Sequence, residues 1–302
     1  MKMKKNSLKI VGITLKPNST PEFYSILPNL CSWLLRRKRQ VVFREEDRER
    51  VLKFFKQKST ENLLFWNSKN FHNKVDIMFS LGGDGTLIGV CRRINTKIPV
   101  LGINLGRLGF ITEFNKNEYF ERLGNILDGQ YAITQKPLFH VSVVRKNKIH
   151  FKDYFFNDAV LAKNDIARMI YLRAELATEH IYNISGDGII ISTPLGSTAY
   201  SMAAGGPIVH PDVKGLVLTP ICPHSLIHRP FVIPDSAPIT LKILPPHHSV
   251  TLTLDGQVAI NIDEHDIVTI NDARVKKVCL IKNPDRFYFE TIRDKFVFSK
   301  KD

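Results

Sequence analysis

The sequence holds no apolar run approaching twenty residues, so no segment has the length to cross a membrane as a helix. It has only four cysteines, Cys31, Cys91, Cys222 and Cys279, far apart and without a C-x-x-C pair. That usage argues against a disulfide frame or a zinc site and for reduced thiols in a cytoplasm. There is no G-x-x-x-x-G-K-[ST] loop, no G-x-S-x-G elbow and no His-Arg-Asp loop, which removes P-loop NTPases, α/β-hydrolases and protein kinases. Internal repeats and low-complexity tracts are missing too. Acidic residues are scarce at the start: residues 1–60 hold 15 Lys/Arg against 5 Asp/Glu, which is +10 of the chain's net +14. The densest run is Arg36-Arg37-Lys38-Arg39. Aromatics are not interleaved with these basic residues, and the run ends an amphipathic helical pattern, so a solvated helix face is the plainer reading than a nucleic-acid patch. Met1-Lys2-Met3-Lys4-Lys5 looks like the start of a signal peptide. The following Leu8 to Leu15 carries a lysine and alternates like a strand, so it reads as the first strand of the fold.

What the chain does have is 302 residues, 43% of them hydrophobic, enough for a sizeable core in one large or two ordinary domains. The stretch around which it is organised is Gly82-Gly83-Asp84-Gly85-Thr86. An apolar run, Val75 to Leu81, precedes it, and a helical pattern with Leu87, Val90, Cys91 and Ile94 follows. Strand, glycine turn and helix in that order suit an anion: backbone N–H groups can approach a ligand with no Cβ in the way, at the positive end of a helix. Thr86 is the expected N-cap. A carboxylate in such a turn suits a hydroxyl or a metal ion better than a phosphate.

Taken in order, residues 8–15 read as a strand, 22–39 as a helix, 40–43 as a strand and 45–58 as a charged helix-compatible stretch. Val75 to Leu81 and Ile98 to Asn104 are further strands, and Glu118 to Gly129 a further helix. Alternation of this kind predicts an α/β domain, with a parallel sheet and helices on both faces, over residues 1–135. Ligands of such sheets bind at the carboxyl ends of strands, where both Gly82–Thr86 and Gly102 to Phe110 fall. From Tyr131 onward short strands separated by turns take over: 140–144, 153–163, 170–175, 189–192, 216–219, 239–244, 249–254 and 267–270. They predict an all-β, sandwich-like domain over residues 136–283. Residues 284–302 form an amphipathic tail expected to dock back on the first domain.

Other stretches are more ambiguous taken singly. Gly186 to Tyr200 reads as strand, polar turn and short helix, with Tyr200 able to stack on a base. Asn157-Asp158 is equally well plain turn chemistry. Asp255-Gly256 is a hairpin signal. His247-His248 lacks partners at metal spacing and reads as a surface pair. Gly83, Gly85 and Gly89 come close to a dinucleotide fingerprint, but no carboxylate follows at the end of the next strand to hold a ribose, which argues against an oxidoreductase.

Together and in this order, these stretches resemble the NAD kinase family. Gly82–Thr86 is similar to its Gly-Gly-Asp-Gly-Thr signature, and Asn104 to Phe110 to its Asn-x-Gly-x-Leu-Gly-Phe segment. Asn157-Asp158 is similar to its Asn-Glu pair, and Gly186 to Tyr200 to its long Asp-Gly…Ser-Thr-Pro-x-Gly-Ser-Thr-Ala-Tyr motif. Leu218 to Leu226, Arg229-Pro230 and Leu254 to Gln257 match as well. The resemblance implies transfer of the terminal phosphoryl group of ATP to the 2′-hydroxyl of the adenosine ribose of NAD, with Mg²⁺ accompanying ATP. It implies that Asp84 receives or orients the 2′-hydroxyl. Gly82, Gly83 and Thr86, with Gln257, would serve the phosphate donor. Gly85, Phe110, Asn157, Asp158, Asp187, Thr198, Ala199 and Tyr200 would line the NAD site, Phe110 beside the adenine and Asp187 toward the nicotinamide. A homo-oligomer, dimer or tetramer, is implied too. Three departures bear on NAD against NADH preference: Asp158 where glutamate is usual, Leu195 where many members have threonine, and Ser185 where many bacterial members have arginine. The alternatives are a diacylglycerol-type lipid kinase, which shares the glycine turn but does not need the Asp187 to Tyr200 motif, and a non-enzymatic basic nucleotide- or nucleic-acid-binding protein.

Overall fold

Five apolar positions of the helix Phe23–Arg36, namely Phe23, Leu27, Leu30, Cys31 and Leu34, fall on one stripe and are buried. At about 1.5–3 kcal/mol for each large apolar side chain, that stripe dictates where the helix must lie. In the computed structural model, which describes residues 8–55, 60–106, 109–116, 119–164, 168–225, 227–246, 249–271 and 276–296, it packs in one cluster with Val11, Ile13, Phe79, Leu81, Leu101 and Ile103. The helix Tyr119–Leu127 contributes Leu123, Ile126 and Leu127 to the same cluster. Side chains alternate across a strand, so the intervening residues face the other way. There Gly102 lies against Leu87 of the helix Asp84–Arg93, close enough that a Cβ would be 2.8 Å from Leu87 Cδ2. Helices therefore cover both faces of this sheet.

The sheet runs Leu63–Trp66, Gln40–Arg44, Ile10–Leu15, Ile77–Gly82, Pro99–Asn104, Lys277–Lys282, Ala132–Pro137, with Phe114–Asn115 beside Pro99–Asn104. The pairings from Leu63–Trp66 through to Lys277–Lys282 are parallel. From Ile10–Leu15 the chain first builds outward to one side and then returns to the other. The switch point lies between Ile10–Leu15 and Ile77–Gly82, and Gly82 ends the second of these strands.

The other unit is antiparallel throughout. Among the described residues one sheet orders Phe231–Pro234, Gly215–Ile221, Gly188–Ser192, Asp158–Lys163, Val250–Leu254, Val258–Ile262. The other orders Glu179–Gly186, Ile170–Leu176, Ile239–Leu244, Ile267–Asn271, Phe139–Arg145, Lys148–Phe155. Phe139–Arg145, Ile239–Leu244 and Val250–Leu254 alternate buried and half-buried residues, as sandwich strands do. Gly188–Ser192 and Gly215–Ile221 are buried along their whole length. Their outer side carries a second small cluster, Val160, Ile190 and Ile221, with Ala204 against it.

Several elements differ from the sequence expectation. The chain divides into residues 1–136 with 278–302, and 137–277. Lys277–Lys282, expected inside the β domain, is instead an interior strand of the parallel sheet. Its run of buried Val278, Cys279, Leu280 and Ile281 fits a strand covered on both faces better than an alternating one. The single strand expected over 153–163 is two, broken at Phe156 and Asn157. The N-cap position of helix Asp84–Arg93 is Gly83, not Thr86, because the helix begins three residues earlier. The charged stretch 45–58 yields the helix Arg48–Leu52, and residues 56–59 lie outside the described residues. Glu118, Arg107, Leu108, Leu226 and the His247-His248 pair also lie outside them. The tail forms the helix Tyr288–Phe296 within the first unit, where the Phe296 ring lies 5.8 Å from that of Phe110.

Candidate functional site

In the first unit the glycine turn is tied to the segment after Pro99–Asn104 through one carboxylate. The N–H of Phe110 donates to Asp84 Oδ2 at 2.7 Å. Asp84 Oδ1 accepts from the N–H groups of Ile111 (3.2 Å) and Thr112 (3.0 Å) and from the Thr112 hydroxyl (2.8 Å). The Asn104 amide donates to Thr112 Oγ1 at 2.9 Å, which fixes that hydroxyl as the donor toward Asp84. Asn104 Oδ1 in turn accepts from Gly106 N at 2.9 Å. Gly109 makes the approach possible: a Cβ there would stand 1.9 Å from Asp84 Oδ1. An ionised carboxylate has roughly four acceptor positions. Among the described residues Oδ1 has three donors, while Oδ2 has one, which leaves it an acceptor position for a hydroxyl.

The glycines of the turn separate into two kinds. A Cβ on Gly83 or Gly85 would meet nothing within 4 Å, so the space before them is open to a ligand. A Cβ on Gly82 would stand 2.3 Å from Thr86 Oγ1, so this glycine serves internal packing. The N–H of Thr86 is committed to Gly83 O at 3.1 Å, which removes it from an anion cradle. Phe110 is flanked by Phe296 and by Lys295, whose Nζ lies 4.6 Å from the ring centroid.

In the second unit the break at Phe156 and Asn157 has a physical cause. The Asp255 carboxylate accepts from three consecutive N–H groups, Phe156 (2.9 Å), Asn157 (2.7 Å) and Asp158 (3.1 Å). Asp255 and Gly256 adopt φ of 51° and 63°, the positive values of a tight hairpin turn, and Gln257 follows as an exposed residue of that turn. The other side of Asn157 is braced by the 193–196 loop. Thr193 N donates to Asn157 O (2.8 Å), Thr193 Oγ1 to Phe156 O (2.9 Å), and Gly196 N to Thr193 Oγ1 (3.1 Å). Asn157 Oδ1 is buried and has no hydrogen-bond partner among the described residues. Such an acceptor is costly unless something donates to it.

Asp158 is 6% exposed, and burial, reinforced by the neighbouring Asp255 charge, pushes its carboxyl up to about 7 from an ordinary 3.8. Between these two values the unfolded chain has released the proton and the folded one has kept it. Stability therefore declines as pH rises from about 4 to about 7 and levels off above. Asp158→Asn should melt higher than wild type at pH 8 and converge with it at pH 4, as thermal melts across that range would read; equal melting temperatures at pH 8 would refute the assignment.

Ser197 is buried, donates to Pro194 O (2.6 Å) and accepts from Val209 N (3.0 Å), which sets the loop from which Thr198, Ala199 and Tyr200 follow. Thr198 is buried, whereas Tyr200 is 47% exposed and presents its ring to solvent. Asp187 is paired with Lys163 at 2.6 Å, and the Lys163 N–H donates to Asp187 O at 2.9 Å. Thus Asn157, Asp158 and the Asp255–Gln257 turn are gathered at one place, and Asp84, Gly83, Gly85 and Phe110 at another. Thr112, Lys163 and Asp255 were not anticipated as site residues. Of these, only Asp255 carried a signal, the Asp-Gly pair inside the Leu254 to Gln257 stretch that resembles the family's, and that signal does not say what the carboxylate binds.

Comparison with known proteins gives the class first. The yeast NADH kinase, solved in complex with NADH, superposes with a TM-score of 0.87 over 99% of this chain and 90% of its own, at 25% identity. An NAD kinase from Archaeoglobus fulgidus, solved with ATP, shares the fold at a TM-score of 0.72 and 22% identity, over 94% of this chain and 98% of its own. The fold is that of the nicotinamide-dinucleotide kinases. Residues 11–131 match the family profile of the ATP-NAD kinase N-terminal domain and residues 156–282 that of the C-terminal domain. The NAD kinase of Solibacter usitatus is 36% identical over 97% of this chain and 99% of its own length, and that of Syntrophotalea carbinolica 34% identical over 97% and 100%. The chain belongs to the NAD kinase family.

Proposed function

We propose that this protein transfers the γ-phosphoryl group of ATP to the 2′-hydroxyl of the adenosine ribose of NAD, giving NADP and ADP. The observation that carries the residue assignment is the Asp84 carboxylate, held by Phe110, Ile111 and Thr112 with Oδ2 still able to accept a hydroxyl. Phosphoryl transfer asks mainly for positioning and charge neutralisation. Asp84 orients the 2′-hydroxyl and takes its proton as the oxygen attacks phosphorus. Gly83 lets donor phosphates approach the backbone, Gly85 lines the NAD site, and Phe110 packs beside the adenine. Gly82 and Thr86 shape the turn from within. Asn157 Oδ1 accepts from the adenine amino group, Asp158 meets the ribose, and Asp187 with Lys163 faces the nicotinamide end. Thr198, Ala199 and Tyr200 line the NAD pocket, and Gln257 serves the donor.

Among the described residues no group of three His, Cys, Asp or Glu side chains is placed to hold a metal, and Asp84 is committed to four protein donors. We take Mg²⁺ to enter bound to ATP, as part of the substrate. The reaction is assigned to the cytoplasm on the four free thiols. No helix of the described residues is long and apolar enough to cross a membrane. A homo-oligomer is supported by the exposed Phe231 and Val232 on the edge strand Phe231–Pro234, an apolar strip suited to a second copy.

The test is to incubate the purified protein with ATP, Mg²⁺ and NAD and to measure NADP with an NADP-specific dehydrogenase. NADP formation is expected; none from folded protein would overturn the function. Diacylglycerol offered in place of NAD should stay unphosphorylated.

A further inference from the structure

The Asp-Gly turn does more than reverse the chain. Asp255 sits at φ 51°, and its carboxylate turns back on the neighbouring strand and not outward. There its Oδ1 accepts from Asn157 N at 2.7 Å and from Asp158 N at 3.1 Å, and its Oδ2 from Phe156 N at 2.9 Å. The Asp255 N–H returns a bond to Asp158 O at 2.9 Å. The ladder between Asp158–Lys163 and Val250–Leu254, with Ala159 opposite Leu254, delivers the turn to this spot. Hairpin geometry accounts for none of these three N–H bonds, because a turn of this kind closes through its own backbone, here Gln257 N to Leu254 O at 2.9 Å. What the bonds fix is the backbone from which Asn157 and Asp158 project, one with a buried Oδ1 that has no partner among the described residues and the other with a buried carboxyl.

We propose that Asp255 is a positioning residue of the acceptor site, its carboxylate seating Phe156, Asn157 and Asp158 so that the Asn157 amide and the Asp158 carboxyl meet the adenosine of NAD at fixed places. The inference rests on the proposed NAD kinase reaction. A carboxylate suits the task because three N–H donors converging on two oxygens need a full negative charge and acceptors on both atoms. An asparagine amide offers one oxygen, and its NH₂ faces donors where Oδ1 or Oδ2 had been.

Asp255→Asn keeps the side-chain shape, and asparagine tolerates positive φ, so the variant is expected to fold. Its KM for NAD should rise at least tenfold, with kcat changing less than threefold and KM for ATP unchanged. A second readout follows from charge. Asp255 is the charged group that faces Asp158. Neutralising it removes the like-charge repulsion, so the inflection of NAD affinity with pH should move to lower pH in the variant. A merely structural role would lower thermal stability while leaving KM for NAD of the folded variant unchanged. An unchanged KM for NAD in folded Asp255→Asn, or a fall in kcat with KM untouched, would overturn the proposal. Should Asp255→Asn fail to fold, Asp255→Glu takes its place: it keeps the charge one methylene further out and should show the same split in KM. Calorimetric NAD binding separates the two readings. Wild type that binds NAD but makes no NADP would sink the reaction and leave the positioning role testable by binding alone; equal NAD affinities of wild type and variant would sink the positioning role whatever the reaction.

Discussion

Asp84→Asn is expected to lower turnover by about a hundredfold or more while NAD binding remains measurable. Two losses combine. An amide cannot take the 2′-hydroxyl proton, and general-base assistance is worth about 10²–10⁴ in rate. The amide also has one acceptor oxygen for the work of two. Whichever way it is turned, its NH₂ faces an N–H donor, either that of Phe110 or those of Ile111 and Thr112. The Phe110 segment should therefore loosen, and KM for NAD should rise with the fall in kcat. The NADP-forming assay measures both constants, and near wild-type kcat would remove Asp84 from the chemistry. A partial variant sharpens the distinction. Thr112→Val removes the hydroxyl bond of 2.8 Å but keeps the carboxylate and all three N–H donors, so it should cost far less than Asp84→Asn.

The second large effect is expected from Gly196→Ala. A Cβ there would lie 2.2 Å from Asn157 O, 2.6 Å from its carbonyl carbon and 2.7 Å from its Cα. All three are backbone atoms, pinned from the far side by Asp255, so the methyl cannot be absorbed by a side-chain rotation. Overpacking of this sort costs about 1–3 kcal/mol, occasionally more, and in a chain of this size each kcal/mol lowers Tm by roughly 2–4 °C. The displaced residue is the one offered to adenine, so KM for NAD should rise tenfold or more alongside the drop in Tm. Gly83→Ala is the contrasting case. Its Cβ would meet nothing within 4 Å, and the residue's φ of −101° suits any side chain. That variant should melt like wild type and lose affinity for ATP, because the methyl fills ligand space. Equal melting temperatures for wild type and Gly196→Ala, or unaltered ATP use in Gly83→Ala, would show that these contacts are misassigned.

Much of this fold is written in periodicity. The stripe from Phe23 to Leu34 and the apolar runs ending at Leu81 and Asn104 specify helix and parallel strands directly. The break at Asn157 could not be read that way, because its cause lies about a hundred residues later in the carboxylate of Asp255. The sheet to which Lys277–Lys282 belongs is illegible for a related reason: the apolar run Val278 to Ile281 states that it is a buried strand, but not in which sheet. Glu179–Gly186 and Val258–Ile262 are rich in exposed or half-buried residues, so their weak alternation hid them. At the site, Asp84 and Asn157 stood out through the company they keep in sequence. Thr112 and Lys163 did not, because a threonine hydroxyl or a lysine becomes informative only once a distant partner is placed beside it.

The position of Lys277–Lys282 also bears on how the chain is made. This strand lies between Pro99–Asn104 and Ala132–Pro137, so the parallel sheet that starts with Ile10–Leu15 lacks an interior member until residues 277–282 have left the ribosome. Residues 137–277 form an uninterrupted segment and can close their sandwich in the meantime. The unit synthesised first is thus completed last: Ile103 and Asn104 can pair early with Phe114 and Asn115, while the Pro99–Val100 end of that edge waits for Cys279 and Leu280. The sandwich gains its autonomy from being an insertion, and the glycine-turn unit carries the corresponding exposure during synthesis.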